Sequence, residues 1–399
     1  MSTLMAWWKS RHGDASAEST SCRSLHELWS EFVDALVHTS HSRGLHASPA
    51  HAIRTKTCPW RSGGVLPATG RVVAVGDVHG DLMKLREAMR LASVTDERDA
   101  WIGGDAVVVQ VGDQLDRGDD EVAVLHFLEK LKREADRVGG AVVVLNGNHE
   151  TMNVGGRFRY ATDKSALEFQ KWRHMQIMGK ALKRTCGIEQ GNCDPGKMEK
   201  LPDGMHQRWA ARYAALRPGG PLATRFLAQN PVAAQVGNTL FVHGGLLPEH
   251  CEYGLHRINE EIREWMLGNA GTAEQPDLAR GRNSLVWARH YSHVEQSKCD
   301  CDVLKEALQK MKGVDRVVVG HTVQQPGGIS TACDGKVVRV DVGMSKGVAD
   351  ARPEVLEIRN GTEVRRIVPG LPPQVLHILD HGPYGPPHLW AYVKGILTH

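Results

Sequence analysis

The most regular feature of the chain is a series of short, valine-rich apolar runs, each followed at once by a glycine or histidine and a cluster of polar residues. Continuous apolar runs of this kind are typical of central strands that are buried on both faces of a sheet. We therefore predict a buried strand in each of five runs: RVVAV before Gly76, AVVVQV before Gly112, AVVVLN before Gly147, NTLFV before His243 and DRVVVG before His321.

The segments between these runs indicate the class of fold. Residues 82–92 and 121–138 have the composition of helices, and residues 336–341 and 354–358 that of two further strands. A rhythm of strand, loop, helix and strand indicates an α/β domain, and open α/β sheets bind ligands in the loops at their strand ends. The polar clusters therefore lie where a binding site is expected.

The rest of the chain lies outside this rhythm. Residues 151–235 contain no comparable run and are predicted to be a helical insertion, or lid, over the same edge of the sheet. Residues 1–65 are predicted to be an N-terminal extension with one amphipathic helix at 25–37, where apolar residues recur at helical spacing. The main domain is predicted at 66–368, and a tail rich in proline and glycine at 369–399.

Composition and charge argue against several kinds of partner. Apolar residues make up 41% of the chain and charged residues 24%, the balance of a globular protein with a sizeable core. A formal net charge of +3 over 399 residues gives no basic field for nucleic acid or an anionic membrane, so we expect neither partner. No apolar stretch reaches the ~18 residues that a membrane-spanning helix needs.

The start of the chain and its cysteines bear on the cellular compartment. The first residues lack the apolar core of a secretory signal, so we expect a cytoplasmic protein, with reduced thiols as the default for its eight cysteines. Lys9 and Arg11 leave the mitochondrial intermembrane space as an alternative. The nearest cysteine pairs do not match a zinc finger, and a disulfide between Cys186 and Cys193 is the less favoured alternative.

The polar clusters carry the candidate chemistry. Taken singly, an aspartate after a strand is usually a helix cap and a histidine is usually structural. Five such clusters after five buried strands favour a shared site for divalent ions, because their oxygen and nitrogen donors suit hard and borderline metals. The clusters hold Asp77 with His79, Asp113 with Asp116 and Arg117, Asn148 with His149 and Glu150, His243, and His321.

In sequence order, these clusters resemble the motif set of the calcineurin-like metallophosphoesterases. The motifs are GDVHG at 76–80, GDQLDRG at 112–118, GNHE at 147–150, HGG at 243–245 and GHT at 320–322. The second motif in full most resembles the PPP-type phosphoprotein phosphatases, and the resemblance covers residues 70 to 345. It implies a metallophosphatase β-sandwich of mixed sheets, flanked by helices and carrying the helical insertion.

Departures from the eukaryotic serine/threonine phosphatases point to one branch of that group. Asn146 stands where those enzymes have an arginine, and DVGMSKG at 341–347 stands near the place of their SAPNYC segment. With the helical insertion, these features resemble the Shewanella-like protein phosphatases. The segment ELWSEFVDALV at 27–37 resembles the second type of that branch, found in plants and algae.

The resemblance assigns a role to each candidate residue. It implies two divalent ions that activate a bridging hydroxide, with Mn²⁺ favoured and an iron–zinc pair as the alternative. A bidentate guanidinium suits a phosphoryl group, which favours Arg117 as one clamp and Arg289, in LVWARH, as a second. The implied set is Asp77 and His79 on the first ion, Asp113 on both, Asn148, His243 and His321 on the second, and His149 as general acid paired with Asp116.

The sequence therefore predicts a phosphoprotein phosphatase that acts on phosphorylated protein substrates. A dinucleotide polyphosphate hydrolase, which uses the same two-metal loops, is the alternative enzyme. An inactive binding scaffold is a third possibility, and the intact set of ligands counts against it. The motifs do not distinguish phosphotyrosine from phosphoserine or phosphothreonine, and they indicate no regulatory partner.

Overall fold

The computed structural model describes residues 64–185, 201–271 and 274–379, with side chains excluded for 179–185. The predicted helix at 25–37 and the cysteines at 186 and 193 lie outside these residues. The described strands are β1 (Val65–Leu66), β2 (Arg71–Val75), β3 (Val107–Gln110), β4 (Ala141–Val144), β5 (Ala233–Val236), β6 (Thr239–Val242), β7 (Arg316–Val319), β8 (Ser330–Ala332), β9 (Val337–Arg339), β10 (Val355–Arg359), β11 (Glu363–Ile367) and β12 (Gln374–Ile378).

Helices connect and cover the strands. Several begin at a polar cap, as where the Asp81 side chain accepts the Lys84 N–H at 3.1 Å. The described α-helices are α1 (Leu82–Leu91), α2 (Glu121–Arg137), α3 (Asn148–Val154), α4 (Asp163–Thr185), α5 (Ala210–Leu216), α6 (Pro221–Arg225), α7 (Pro248–Tyr253), α8 (Leu255–Leu267) and α9 (Cys301–Lys310).

The strands form two six-stranded mixed sheets. The first sheet has the order β12-β11-β10-β2-β3-β4, and the second has the order β1-β5-β6-β7-β9-β8. In the first sheet β2, β3 and β4 are parallel neighbours, and in the second β6, β7 and β9 are. Parallel strands end at the same edge, so each sheet gathers the loops that follow its central strands.

Two apolar cores hold these layers together. One joins the first sheet to the facing side of the second, to which Phe241 and Val318 contribute. Their chain neighbours Leu240 and Val317 point the other way, into a core shared with α8 and the helical insertion. The alternation of side chains along a strand explains why β6 and β7 are apolar throughout: both of their faces are covered.

The five central strands predicted from the valine-rich runs are confirmed, as are the strands predicted at 336–341 and 354–358. The predicted insertion ends slightly earlier than expected, because β5 begins at Ala233. Strand β12 lies beyond the expected domain end at 368 and pairs antiparallel with β11. Because β12 is a largely exposed strand at the edge of its sheet, its sequence is half polar. With two prolines before it, this sequence resembles that of a tail.

A disulfide joins Cys301 at the start of α9 to Cys333 in the β8–β9 turn. The expectation of reduced thiols is therefore wrong for this pair. The two cysteines are 32 residues apart in sequence, yet the fold brings their Cα atoms to 5.3 Å, which spacing alone could not indicate. Cys251 and Cys299 are free thiols. Within the described ranges, every helix is too short or too polar to cross a lipid bilayer.

Candidate metal centre

The predicted site residues converge where the two sheets meet. The loops after β2, β3 and β4 of the first sheet bring Asp77, His79, Asp113, Asn148 and His149, and the loops after β6 and β7 of the second bring His243 and His321. All seven side chains are buried. The candidate centre is therefore built from residues that follow central strands of both sheets.

Asp113 lies at the middle of the cluster. Its Oδ2 atom lies 3.3 Å from His243 Nε2, 3.6 Å from His79 Nε2 and 3.8 Å from His149 Nε2. Its Oδ1 atom accepts the His149 backbone N–H at 3.0 Å. One carboxylate oxygen thus faces three imidazole nitrogens, which is the arrangement expected of a ligand shared between two ions.

The other nitrogen of each histidine fixes its ring. His79 Nδ1 lies 3.1 Å from the Leu115 carbonyl oxygen, and His243 Nδ1 lies 2.8 Å from the Val111 carbonyl oxygen. An imidazole whose Nδ1–H is donated to a carbonyl presents the lone pair of Nε2. Both rings therefore direct Nε2 toward Asp113 Oδ2, from where each could bind an ion once Nε2 carries no proton.

The residues fit a pair of ions. Donor atoms of His79, Asp113 and His149 lie within 4.8 Å of one another, and so do those of Asp113, His243 and His321. His321 Nε2 is buried without a hydrogen-bond partner, which is costly unless an ion or water takes its lone pair. The Asn148 side-chain oxygen lies 3.0 Å from His243 Nε2, at the edge of the second group.

Asp77 differs from the other predicted ligands. Its carboxylate belongs to neither group and instead accepts the His321 backbone N–H at 3.2 and 3.1 Å. Burial and the nearby Asp341 carboxylate raise the pKa of Asp77 well above its usual value. Two buried acids side by side favour one shared proton, and a cation between them would remove that need.

The pKa values of His79, His243 and His321 are shifted in different directions. Burial opposes a charged imidazole, but the Asp113 and Asp77 carboxylates outweigh it and raise the pKa of His243 to about 10. Burial lowers the pKa of His79 to about 4 and, with the His243 charge, holds the pKa of His321 well below its usual value. These lowered pKa values favour neutral imidazoles at His79 and His321, which would offer lone pairs to an ion.

Close approach explains two of the motif glycines. A Cβ at Gly147 would lie 2.2 Å from Asp113 Oδ1, and one at Gly112 would lie 2.6 Å from His243 Nδ1. Gly112 also has φ +102°, a conformation that side chains disfavour. Any larger residue at these positions would displace a predicted ligand.

His149 forms a buried pair with Asp116. His149 Nδ1 lies 2.6 Å from Asp116 Oδ2, and its Nε2 faces the centre. Burial opposes the charged imidazole, but the Asp113 and Asp116 carboxylates outweigh it and raise the pKa of His149. The Asn153 side-chain amide donates to the His149 carbonyl oxygen at 2.9 Å, which fixes the backbone as well.

The two predicted arginines lie at the rim. The Arg117 N–H donates to the Tyr160 carbonyl at 2.9 Å, and its guanidinium lies over the Tyr160 ring, 4.8 Å from the centroid. Arg289 Nη1 donates to the His321 carbonyl at 3.0 Å and to Thr322 Oγ1 at 2.7 Å. Both side chains are at least partly exposed, as groups that meet a substrate must be.

Two buried acids support the centre in roles that we did not predict. Glu150 accepts the backbone N–H groups of Asp113, Gln114, Leu115 and Gly147 at 2.7–3.0 Å, so it shapes the loop after β3. Its place in the GNHE motif was the available signal. Asp341, which approaches Asp77, lies in DVGMSKG, a segment that we noted only as a departure from related enzymes.

Comparisons with known proteins agree on one family. The model of the calcineurin-like phosphoesterases matches residues 70–325. Shewanella-like protein phosphatase 2 of Arabidopsis thaliana is 47% identical over 351 residues, which cover 86% of this chain and 88% of that protein. Shewanella-like protein phosphatase 1 of Plasmodium berghei is 27% identical over 69% of this chain and 67% of that protein.

Solved structures agree in fold. The crystal structure of a cold-active protein-tyrosine phosphatase of a psychrophilic Shewanella species superposes with a TM-score of 0.58 at 22% identity. The match covers 84% of this chain and 89% of that one. At this identity the likeness concerns the fold alone, and it agrees with the predicted mixed sheets flanked by helices.

Proposed function

Because the chain belongs to the calcineurin-like phosphoesterases and, within them, to the Shewanella-like protein phosphatases, we propose that it dephosphorylates phosphoproteins with two divalent ions. The observation that carries the proposal is the convergence of imidazole nitrogens on Asp113 Oδ2 beside the unpartnered His321 Nε2. These buried donors have the spacing and chemistry of a divalent metal centre.

The proposed assignment of ligands is the one that the resemblance of the motifs implies. Asp77 and His79 hold the first ion, Asp113 holds both, and Asn148, His243 and His321 hold the second. When bound, such ions lower the pKa of water and neutralise phosphoryl charge. We propose Mn²⁺, with an iron–zinc pair as the alternative, because the nitrogen and oxygen donors suit all three.

His149 serves as the general acid. Its Nδ1–H is donated to Asp116, which leaves Nε2–H directed to the centre, where a leaving oxygen would lie. The Asp113 and Asp116 carboxylates raise the pKa of His149, and this direction favours the protonated imidazole that an acid requires. Proton transfer from Nε2 leaves a neutral ring still held by Asp116.

Arg117 and Arg289 orient the phosphoryl group. Arg117 Nε is buried without a partner, and no carboxylate pairs with its guanidinium among the contacts of the described residues. A guanidinium in that state can donate to phosphoryl oxygens without first losing an ion pair. The Arg289 guanidinium donates to the His321 carbonyl oxygen at 3.0 Å, which holds it beside a proposed ligand.

Kinetics on matched substrates test the proposal. The Mn²⁺-loaded enzyme should hydrolyse a phosphotyrosine peptide, a phosphothreonine peptide of the same sequence, or both, with kcat/KM at least about 100-fold above that for diadenosine tetraphosphate. Asp113→Asn serves as the control for contaminating phosphatase. The opposite order of substrates would favour a dinucleotide polyphosphate hydrolase, and no turnover with full metal content would favour a binding scaffold.

A further inference from the structure

An arginine of the helical insertion reaches the buried carboxylate beside His149. Arg212, on α5, is fully buried, and its Nη2 donates to Asp116 Oδ1 at 2.9 Å. The same guanidinium donates to both oxygens of Glu121, at 2.7 and 2.6 Å, to Asn153 Oδ1 at 2.8 Å and to Ser165 Oγ at 3.2 Å. Its donors are therefore fully used.

The surroundings hold this guanidinium in one position. The Phe169 ring lies 4.7 Å and the Phe158 ring 5.5 Å from its central carbon. Because the rings lie against the Arg212 guanidinium and all of its N–H groups are bonded, the guanidinium cannot rotate freely or exchange its partners for water. Glu121 alone would balance the charge of Arg212, so charge balance does not require the contact with Asp116.

Two routes lead from Arg212 to His149. Through Asp116, Arg212 holds Oδ1 while Oδ2 bonds His149 Nδ1, so the carboxylate plane cannot turn without losing one of its two partners. Through Asn153, it holds the side-chain oxygen while the amide of Asn153 donates to the His149 carbonyl. One route fixes the imidazole ring and the other fixes the backbone of the same residue.

We propose that Arg212 is a positioning residue for the general acid, and that the insertion thereby supplies part of the catalytic machinery. The inference rests on the proposed role of His149 as the acid. Arg212 itself lies behind Asp116 and touches no reacting atom. Its contribution is to hold the His149 ring where Nε2 meets the leaving oxygen.

Leaving-group dependence separates positioning from a purely structural role. An acid matters for phenyl phosphate, whose leaving oxygen is basic, and matters little for p-nitrophenyl phosphate. With Mn²⁺ bound, Arg212→Met and Asn153→Ala should each lower kcat for phenyl phosphate about tenfold more than for p-nitrophenyl phosphate, with KM and metal content unchanged. Arg212→Lys, which keeps the charge, should restore part of the loss.

Leu216→Ala is the matched control for lost packing. Leu216 is a fully buried residue of the same helix and belongs to the apolar core. This variant should lower Tm yet keep the wild-type ratio of the two substrates. If Arg212→Met does not fold, Asn153→Ala and Arg212→Lys decide the question. Asn153→Ala leaves Arg212 in place, and Arg212→Lys keeps a cation beside Glu121 and Asp116.

The contrary outcome is an equal loss on both substrates in the Arg212 and Asn153 variants, which would overturn the inference. His149→Ala, measured alongside, keeps this failure distinct from failure of the proposed function. If His149→Ala selectively slows phenyl phosphate while the other variants do not, only the role of Arg212 is wrong. If His149→Ala slows both substrates equally, the assignment of the acid itself is wrong.

Discussion

At the scale of single residues, the centre is made from backbone conformations that most side chains avoid. His79, Asp113, Asp116, Arg117 and His321 all have left-handed backbone, with φ between 46° and 69°. Such conformations persist only where the surroundings enforce them, and they cluster at functional sites. At Asp113, a hydrogen bond helps to hold this conformation: Glu150, on α3, accepts the Asp113 N–H at 2.8 Å.

Asp113→Asn tests the shared ligand. Asparagine tolerates left-handed backbone as well as aspartate does, so the loop should keep its shape while the charge between the ions is lost. We expect kcat to fall by at least about 1000-fold and metal occupancy to drop, with an unchanged circular dichroism spectrum. Metal analysis and kinetics check this, and near-normal turnover with full occupancy would refute the shared-ligand role.

The residues that converge at the candidate centre could be picked out from sequence because each follows a strand within a short motif. Arg212 could not, because its partners Asn153, Glu121 and Asp116 lie 59, 91 and 96 residues away. A single arginine in a helical segment carries no local mark of what it meets. The left-handed backbone conformations could not be predicted from sequence either, although the glycines in the same motifs indicate tight turns.

At the scale of elements, helix α2 shows how the insertion is fixed to the main domain. Its N-cap residue, Asp120, makes no side-chain cap bond. Instead Glu168, on α4, accepts the Val122 and Ala123 N–H groups at 3.0 Å each. The sequence predicted the helix at 121–138, but it could not indicate a cap supplied by a helix more than 40 residues later.

Glu168 makes stability depend on pH. Burial, together with the Glu121 and Asp120 carboxylates, outweighs the two N–H bonds and raises the pKa of Glu168 to about 8, against about 4.3 in an unfolded chain. The folded state therefore binds the Glu168 proton more tightly than the unfolded chain does. The stability that this proton contributes is lost as the pH rises from about 4.3 to about 8.

Glu168→Gln should remove that dependence. The free energy of unfolding of the variant, relative to the wild type, should rise between pH 5 and pH 8.5, because glutamine does not titrate. Urea denaturation in the presence of EDTA measures it at both pH values. A difference that stays constant across the range would show that Glu168 does not titrate there.

The Cys301–Cys333 disulfide makes a second prediction at this scale. It ties α9 to the β8–β9 turn and closes a 32-residue separation, for which chain entropy predicts about 3–4 kcal/mol of stabilisation. Replacing both cysteines by serine should lower Tm under non-reducing conditions. Cys251→Ser, at a free thiol, is the matched control, and an equal Tm in the double variant would argue against the bond.

At the scale of the whole molecule, the candidate centre is the place where the two sheets share ligands. The first sheet provides Asp77 and Asp113, and the second provides His243 and His321. Ions held by both sheets would bind the folded state far better than the unfolded chain and would add to its stability by mass action. We therefore expect metal binding to strengthen the association of the two sheets.

Mn²⁺ should accordingly raise Tm. At a free concentration 100 times Kd, one such ion adds about 2.7 kcal/mol to the free energy of unfolding. Thermal scans of the EDTA-treated protein, with and without Mn²⁺, measure the shift. Asp113→Asn should shift much less, and a shift of full size in that variant would place the stabilising ion elsewhere.

The architecture was predictable at its centre and less so at its edges. The strands β2, β3, β4, β6 and β7 are buried on both faces, so their sequences are continuous apolar runs. Strands such as β11 and β12 are half exposed, so their composition resembles that of loops. The pairing of the sheets was expected from the resemblance and not from the pattern, since strand order depends on contacts distant in sequence.

The contacts of Glu168 and Arg212 also bear on how such enzymes can be recombined. A chimera that grafts another insertion onto this domain would leave Glu121 and Asp116 buried without their cation, which is costlier than lost packing. The helical insertion therefore cannot simply be exchanged for another one. A viable chimera needs an arginine at the position of Arg212. Otherwise the main domain needs neutral residues in place of both Glu121 and Asp116, which would weaken the hold on the His149 ring.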